Sequence, residues 1–367
     1  MKKILVASAL VAASVLFVGC GGKPKIPANT VAAAYLDLDK VVWNVADVVE
    51  TVIDELPKDM RKEAEAEYEK FLDEHKKDIK AIDAEWACVT AVANPDATDV
   101  NIALVVKCDC KEKIPSAGMS LEELAAAALQ KVDTINGCDV YAYADRDLRK
   151  IADVDGLLVA FVDGKYIVCT EVDGGEDASK AFAGRMIDLY KNGKGETSGD
   201  FGDLADLEDD TVLRIQTAEA ETVVGIYDVK DEIEKLGKEI DDEDLADMIL
   251  DFEGITCDIN LGDEVLGFAV KVDAGSRELA KAVESAFNLF KFANRVSSSV
   301  APAAVDAFVS EMPFLNGVDG KTIKAIGKYA RKAVEVDRSG STAVMTVEFD
   351  TEDLIEDVVE ALFSEDK

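Results

Sequence analysis

The sequence predicts an α+β protein, one unit written twice, in which antiparallel hairpins form a sheet covered by amphipathic helices. Three observations carry that expectation. Four segments return in the same order in the second half of the chain. Two-residue turn signals punctuate apolar runs, and apolar residues at helical spacing fill the intervals. The returning pairs are NTVAAAYLDLDKVV from Asn29 with DTVLRIQTAEAETVV from Asp210, and Val105–Asp109 with Ala269–Asp273. They continue with SLEELA from Ser120 and SRELA from Ser276, then Ile167–Asp177 and Ala343–Asp353. The spacing drifts while the order holds, as in a divergent tandem repeat. The first repeat is expected over 31–195 and the second over 206–367, with the Gly- and acid-rich Lys191–Asp210 as connector.

Taken in order, the chain opens on the basic Met1-Lys2-Lys3, followed by Ile4 to Val18, apolar apart from Ser8 and Ser14. That run spans roughly 22 Å as a helix, short of a ~30 Å hydrocarbon core, so a cleaved signal fits better than a permanent span. Leu16-Phe17-Val18-Gly19-Cys20 resembles the lipobox of bacterial lipoproteins, with Phe17 where leucine is usual. The resemblance implies a signal peptide over 1–19, cleavage between Gly19 and Cys20, a diacylglyceryl group on the Cys20 thiol and an acylated new amino terminus. Several chains on one residue give stable anchoring, unlike a single myristoyl group. Gly21 further implies an outer membrane, if the cell has one. Residues 20–30 are expected to be a tether too rich in Gly and Pro to fold. Its mean reach is about 17 Å. Lys23 and Lys25 are expected to face the lipid heads.

The body elements follow. Val41, Val45, Val48, Val52 and Leu56 make a helical stripe that stops at Pro57. Met60–Ile79 continues as a helix with Phe71, His75 and Ile79 on its inward side. Ser120 with Glu123 reads as a capping box before the stripe Leu124, Ala128, Val132. LVAFVDGKYIVCT is a hairpin about Asp163-Gly164, apolar on both faces and therefore central. ITCDINLGDEVLGFAV is a second, turning at Gly262-Asp263 and pairing Ile259 with Leu266 and Cys257 with Phe268. Leu279, Val283, Ala286 and Phe290 form another stripe. EVDRSGSTAVMTVEF turns near Ser339-Gly340, and Leu354, Val358 and Leu362 follow a Thr351 cap. The helices are expected on one face of the sheet.

Composition excludes more than it selects. With 40 Lys+Arg against 75 Asp+Glu, the formal charge is −35, a surface that repels nucleic acid. A single histidine, His75, removes His-based zinc sites and most His acid–base catalysis. The repeat pairs Cys108 with Val272 and Cys169 with Met345, and Cys257 lies on an apolar hairpin face, so these thiols read as small core hydrophobes. Export permits disulfides, with Cys108 and Cys110 beside Cys88 or Cys138 as the expected cluster. No metal site follows from their spacing, and no cofactor motif occurs. The acidic runs Leu204–Asp210 and Glu239–Asp251, and Ala152–Gly156, lack the ligand spacing of a calcium loop. No nucleophile elbow or zinc-protease helix is present.

These features point to a lipid-anchored, acidic cell-envelope protein that binds or scaffolds something, without catalysis. The rival expectations are a carrier of an apolar ligand held between sheet and helices, and a hydrolase using paired carboxylates. Partners are thus the membrane, through the anchor, and a protein or small apolar ligand.

Overall fold

A computed structural model describes residues 23–94, 100–142, 157–169, 175–239, 249–262, 265–300 and 333–363. The signal segment with Gly19 and Cys20, the Ala152–Gly156 run and most of Glu239–Asp251 lie outside them. The protein is α+β, with strands joined only by antiparallel pairing among the registers described.

Two units are resolved, the first within Met1–Val42, Leu72–Glu208 and Val212–Leu250, the second within Trp43–Phe71, Asp209–Thr211 and Asp251–Lys367. These are not the expected repeat boundaries. The physical reason lies in strand β8 (Thr211–Thr217), which pairs antiparallel with β1 (Thr30–Asp37) and so builds the start of the second half onto the first unit's sheet.

In the first unit the strand order is β8-β1-β2-β3-β7-β6-β5-β4. The remaining members are β2 (Trp86–Ala93), β3 (Val100–Lys107), β4 (Gln130–Ile135), β5 (Cys138–Ala142), β6 (Leu158–Phe161) and β7 (Lys165–Cys169). Helices α1 (Leu38–Glu55) and α2 (Lys58–Ile82), separated at Pro57, which cannot continue the first, belong to the second unit over Trp43–Phe71 and to the first at their outer ends. Helix α3 (Leu121–Ala128) follows β3, and α4 (Glu176–Asn192) follows β7. Helices α5 (Ala220–Tyr227) and α6 (Lys230–Glu239) follow β8. Successive strand residues face opposite ways. Tyr35, Cys88, Val105, Ile167 and Cys169 accordingly join one core with Phe182, Met186 and Ile187 of α4. Leu36, Ala87, Val106 and Tyr166 join the other face with Leu121 of α3. Helices therefore cover both faces here, not one.

The hairpin at Asp163-Gly164 stands as expected. Both residues have positive φ (45° and 72°), and Val162 and Lys165 exchange backbone hydrogen bonds of 2.8 and 2.9 Å. Its strands lie inside the sheet order, with β3 and β5 as outer neighbours. The stripe through Val132 does not hold: α3 stops at Ala128, Leu129 is extended (φ −113°, ψ 155°), and Val132 lies on β4. The β4–β5 hairpin turns at Asn136 and Gly137, again both at positive φ.

The tether and the connector are also corrected. Ile26 is buried, Pro27 bridges Thr197, and Ala28 N donates to Glu196 O at 2.9 Å. Lys23 pairs with Asp206, and Lys25 O accepts from the Tyr190 hydroxyl at 2.8 Å, so this stretch is fixed to the body and is not a free tether. Phe201 and Leu204 of the presumed connector are in the core. Apolar side chains spaced through a polar, Gly-rich segment fix both stretches.

The second unit holds β9 (Gly254–Leu261), β10 (Val265–Asp273), β11 (Val334–Ser339) and β12 (Thr342–Asp350) in the order β11-β12-β10-β9. Helix α7 (Arg277–Val300) follows β10 and α8 (Thr351–Phe363) follows β12. The β9–β10 register differs from expectation by two: Ile259 pairs with Phe268 and Cys257 with Val270, and Gly262 N donates to Val265 O. A shift of two keeps each side chain on its face. Gly262 is there for space and not for a turn, since a Cβ would lie 2.8 Å from Asp210 Oδ1.

Candidate functional site

Helix α3 is short, and local chemistry holds it in place. Ser120 accepts from Glu123 N at 3.2 Å, while Glu123 Oε2 accepts from Ser120 N at 2.9 Å, closing the expected capping box. Glu122 N donates to Cys110 O at 3.2 Å, tying the first turn to the segment that leaves β3. An eight-residue helix is marginal alone and normally depends on a buried face. Yet α3 buries none of its residues.

The reason is a cleft of about 350 Å³ beneath it. Its roof is Leu121, Leu124, Ala125, Ala128 and Leu129; its floor is Val106 and Cys108 at the end of β3, Phe161 of β6 and Tyr166 of β7. Ile82 and Ala84, leaving α2, close one side. Phe161 and Tyr166 are opposite each other across the hairpin, their ring centroids 5.2 Å apart, and Tyr141 meets Phe161 edge-on at 6.4 Å. No lining residue is charged. Only the Cys108 thiol and the Tyr166 hydroxyl are polar side-chain groups, so the chemistry available is apolar contact with at most one or two hydrogen bonds. The volume falls at the lower end of small-molecule sites, about 300–1,000 Å³.

A second recess of about 490 Å³ opens between Asn29, Asn94 and α4, with Arg185, Asp188, Lys194 and Glu196 on its walls. Charges of both signs stand there together, and the Arg185 guanidinium lies over the Phe182 ring at 5.5 Å. Nothing in it resembles two carboxyls facing each other from dry walls. Among the described residues the buried polar side chains are Thr, Ser and Asn, with no carboxylate among them.

Of the four cysteines expected to cluster, the structure brings Cys108 and Cys110 together, Sγ to Sγ 3.1 Å. Cys88 and Cys138 belong to the core on the other face of the sheet, which removes the expected bond to the Cys108–Cys110 segment. All six described cysteines are free thiols. Burial pushes Cys88 and Cys169 up to about 12. The hydrogen bond with Cys108, then burial, raises Cys110 as well. These thiols are neutral packing groups at ordinary pH.

His75 is exposed on α2, not on an inward stripe. The α2 residues that are buried, Ala64 and Ala81, are small, so the large side chains of that helix misled the periodicity. In the acidic run after Leu204, Leu204 itself is core and Asp206 pairs with Lys23. Among the described residues no three His, Cys, Asp or Glu side chains converge as metal ligands, and no helix is long and apolar enough to cross a membrane. Phe161 and Tyr166 were not named as site residues in advance, although an apolar residue at every position of a hairpin signals two occupied faces.

No protein-family model and no curated protein matches the chain. Among solved structures it is similar to TP0453 in crystal form I, at 9% identity over 93% of this chain and 98% of that one, with a TM-score of 0.36. Crystal form III of TP0453 gives 8% identity over 93% and 99%, with a TM-score of 0.39. A likeness of that degree carries no argument about function.

Proposed function

We propose that this chain is an exported, lipid-anchored envelope protein whose acidic body binds a small apolar ligand in the cleft under α3. One observation carries the binding role: an uncharged space of about 350 Å³ lies between sheet and helix, under a helix that buries none of its own residues. Buried apolar area there would contribute about 25 cal/mol per Å². The address rests on the lipobox resemblance at Leu16–Cys20. Since the chain is held to the body from Lys23 onward, acylation of Cys20 leaves three residue steps of reach, at most about 11 Å. The edge carrying Lys23, Asp206 and Tyr190 therefore faces the bilayer on this reading, outer membrane if one is present.

The test pairs a displacement assay with fractionation. A fluorescent fatty acid is expected to bind the wild-type body, and Ala125→Phe, which fills the cleft, to weaken it at least tenfold. Equal affinity in the variant would remove the binding role. Cys20→Ala is expected to leave the membrane fraction, and unchanged detergent partitioning would remove the anchor.

The body is further read as a divergent tandem repeat. In its support, hairpin β2–β3, helix α3, hairpin β6–β7 and helix α4 have the same order as β9–β10, α7, β11–β12 and α8. In each set the later strand of one hairpin pairs with the later strand of the other, β3 with β7 and β10 with β12. Matching the turns sets the Lys107–Lys165 pair beside Asp273–Thr342, hence Cys108 beside Ala274 and Val106 beside Val272. That displaces the expected Cys108–Val272 match by two. It also parts Cys169 from Met345, which sit in cores on non-equivalent faces. In the second set Phe252 and Phe287 pack against Val272 and Ala274, and Phe268 against Met345 and Val347.

A further inference from the structure

The geometry points to a modification site beside the cleft: Cys108 and Cys110 close a local disulfide that pins the start of α3. The segment is already held in the shape this requires. Strand β3 ends at Lys107, and the chain bends at Cys108 and again at Cys110. Cys108 N donates to Gly164 O at 3.1 Å and Asp109 N to Ile82 O at 2.7 Å. Asp109 Oδ1 accepts from Lys111 N at 2.9 Å and Glu112 N at 3.1 Å, fixing the turn that follows. Both thiols consequently point to the α3 side, and their sulfurs stand 3.1 Å apart, about 1 Å from bonding distance.

A metal fits that spacing less well. Two thiolates on one tetrahedral zinc, with bonds of about 2.3 Å, would hold their sulfurs about 3.8 Å apart. A dithiol catalyst fits poorly too, because such cysteines carry lowered pKa values and an exposed nucleophile, whereas Cys110 is raised and buried. What remains is a bond that forms once and stays. Cys108, 5% exposed against 1% for Cys110, lines the cleft and is the thiol nearer to an oxidant entering it. Its thiolate attacks the disulfide of a small disulfide oxidant, such as glutathione disulfide, and one thiol leaves carrying a proton. Cys110 then gives up its proton as its sulfur attacks Cys108 Sγ and expels the second thiol. Two electrons pass to the oxidant, and the two protons of the cysteines end on the released thiols. Because Cys110 O accepts from Glu122 N, the closed ring fixes the residue on which the first turn of α3 rests. The inference does not depend on the ligand-binding reading; the chemistry is local to three residues.

The experiment uses the folded chain in excess glutathione disulfide, quenched with N-ethylmaleimide and cut with trypsin after Lys107 and Lys111. The Cys108–Lys111 peptide is expected unalkylated and lighter by two hydrogens in most molecules, with amide exchange in the first turn of α3 slowed severalfold relative to the reduced chain. In Cys110→Ser the glutathione adduct on Cys108 is expected to persist. A doubly alkylated peptide from the wild type, or either cysteine joined to Cys88 or Cys138, would overturn the site. Unchanged exchange at α3 on oxidation would overturn its coupling to the helix.

Discussion

The two faces of the first unit's sheet share strands, registers and alternation, yet one is filled and the other is not. Helix α4 buries Ser179, Phe182, Ala183, Gly184, Met186, Ile187, Leu189 and Tyr190, whereas α3 buries nothing. The difference is in length and side-chain size. Seventeen residues give α4 several turns of large side chains, and Gly184 lets it approach Ile135 closely. Eight residues, four of them the alanines 125–128, leave α3 with too little volume to reach Phe161 and Tyr166. A protein interior is normally packed without such voids. The same sheet thus shows how stability is supplied on one side and a binding space on the other.

The largest expected break in this contrast is Phe182→Ala on the packed face. Phe182 is 1% exposed, and its truncation should lower stability by about 3–5 kcal/mol in denaturant unfolding. Leu124→Ala over the cleft should cost less than about 1 kcal/mol, because the half-buried side chain leaves no closed cavity behind. Similar losses at both sites would mean that the cleft is closed in solution.

Alkaline pH should act through the packed face next. Cys88 stands at about 12 in the folded chain against 9.0 for a free thiol. Below pH 9 both states hold the proton and the thiol adds no pH dependence. Above it the unfolded chain loses the proton first, so stability should fall by about 1.4 kcal/mol per pH unit per thiol until folded Cys88 itself titrates near 12. Cys169, also at about 12, should add a like slope. Unfolding at pH 8, 9 and 10 should show the slope reduced in Cys88→Ala. An equal slope in that variant would place the loss in other groups.

Ser120→Ala should cost about 1 kcal/mol by removing one half of the capping box. For a helix with no buried residue, that loss should appear mainly as faster amide exchange across Leu121–Ala128, with the α4 amides unchanged.

How far this contrast could be read in advance depends on where each signal lies. Ser120 with Glu123, and Asp163-Gly164 between apolar runs, were legible because a cap and a tight turn are decided by neighbours in sequence. Asn136-Gly137 is an equally local signal, but the strand before it is an exposed edge with little apolar alternation, so the helical stripe was carried on to Val132. Gly262 resembled a turn residue, and only the approach of Asp210 from a distant part of the chain explains it. Ile26, Phe201 and Leu204 had no periodicity to announce that they enter the core. An apolar ligand between sheet and helices was an expectation without a location; the aromatic floor of the cleft is set by a hairpin about forty residues beyond α3.

The smallest effect, that of Ala125→Leu, is the most discriminating, since the same substitution is made on both faces. Ala183 of α4 is 3% exposed among large neighbours, so Ala183→Leu must displace them and should destabilise by about 1–3 kcal/mol. Ala125 of α3 looks into open apolar space, so Ala125→Leu has room for its added carbons. Each methylene taken out of water there contributes up to about 0.8 kcal/mol, less where the cleft remains wet. The expected result is a change of under about 1 kcal/mol in the stabilising direction, with reduced binding of the fatty-acid probe. If Ala125→Leu instead destabilises as Ala183→Leu does, α3 packs on the sheet in solution, and the difference between the two faces disappears.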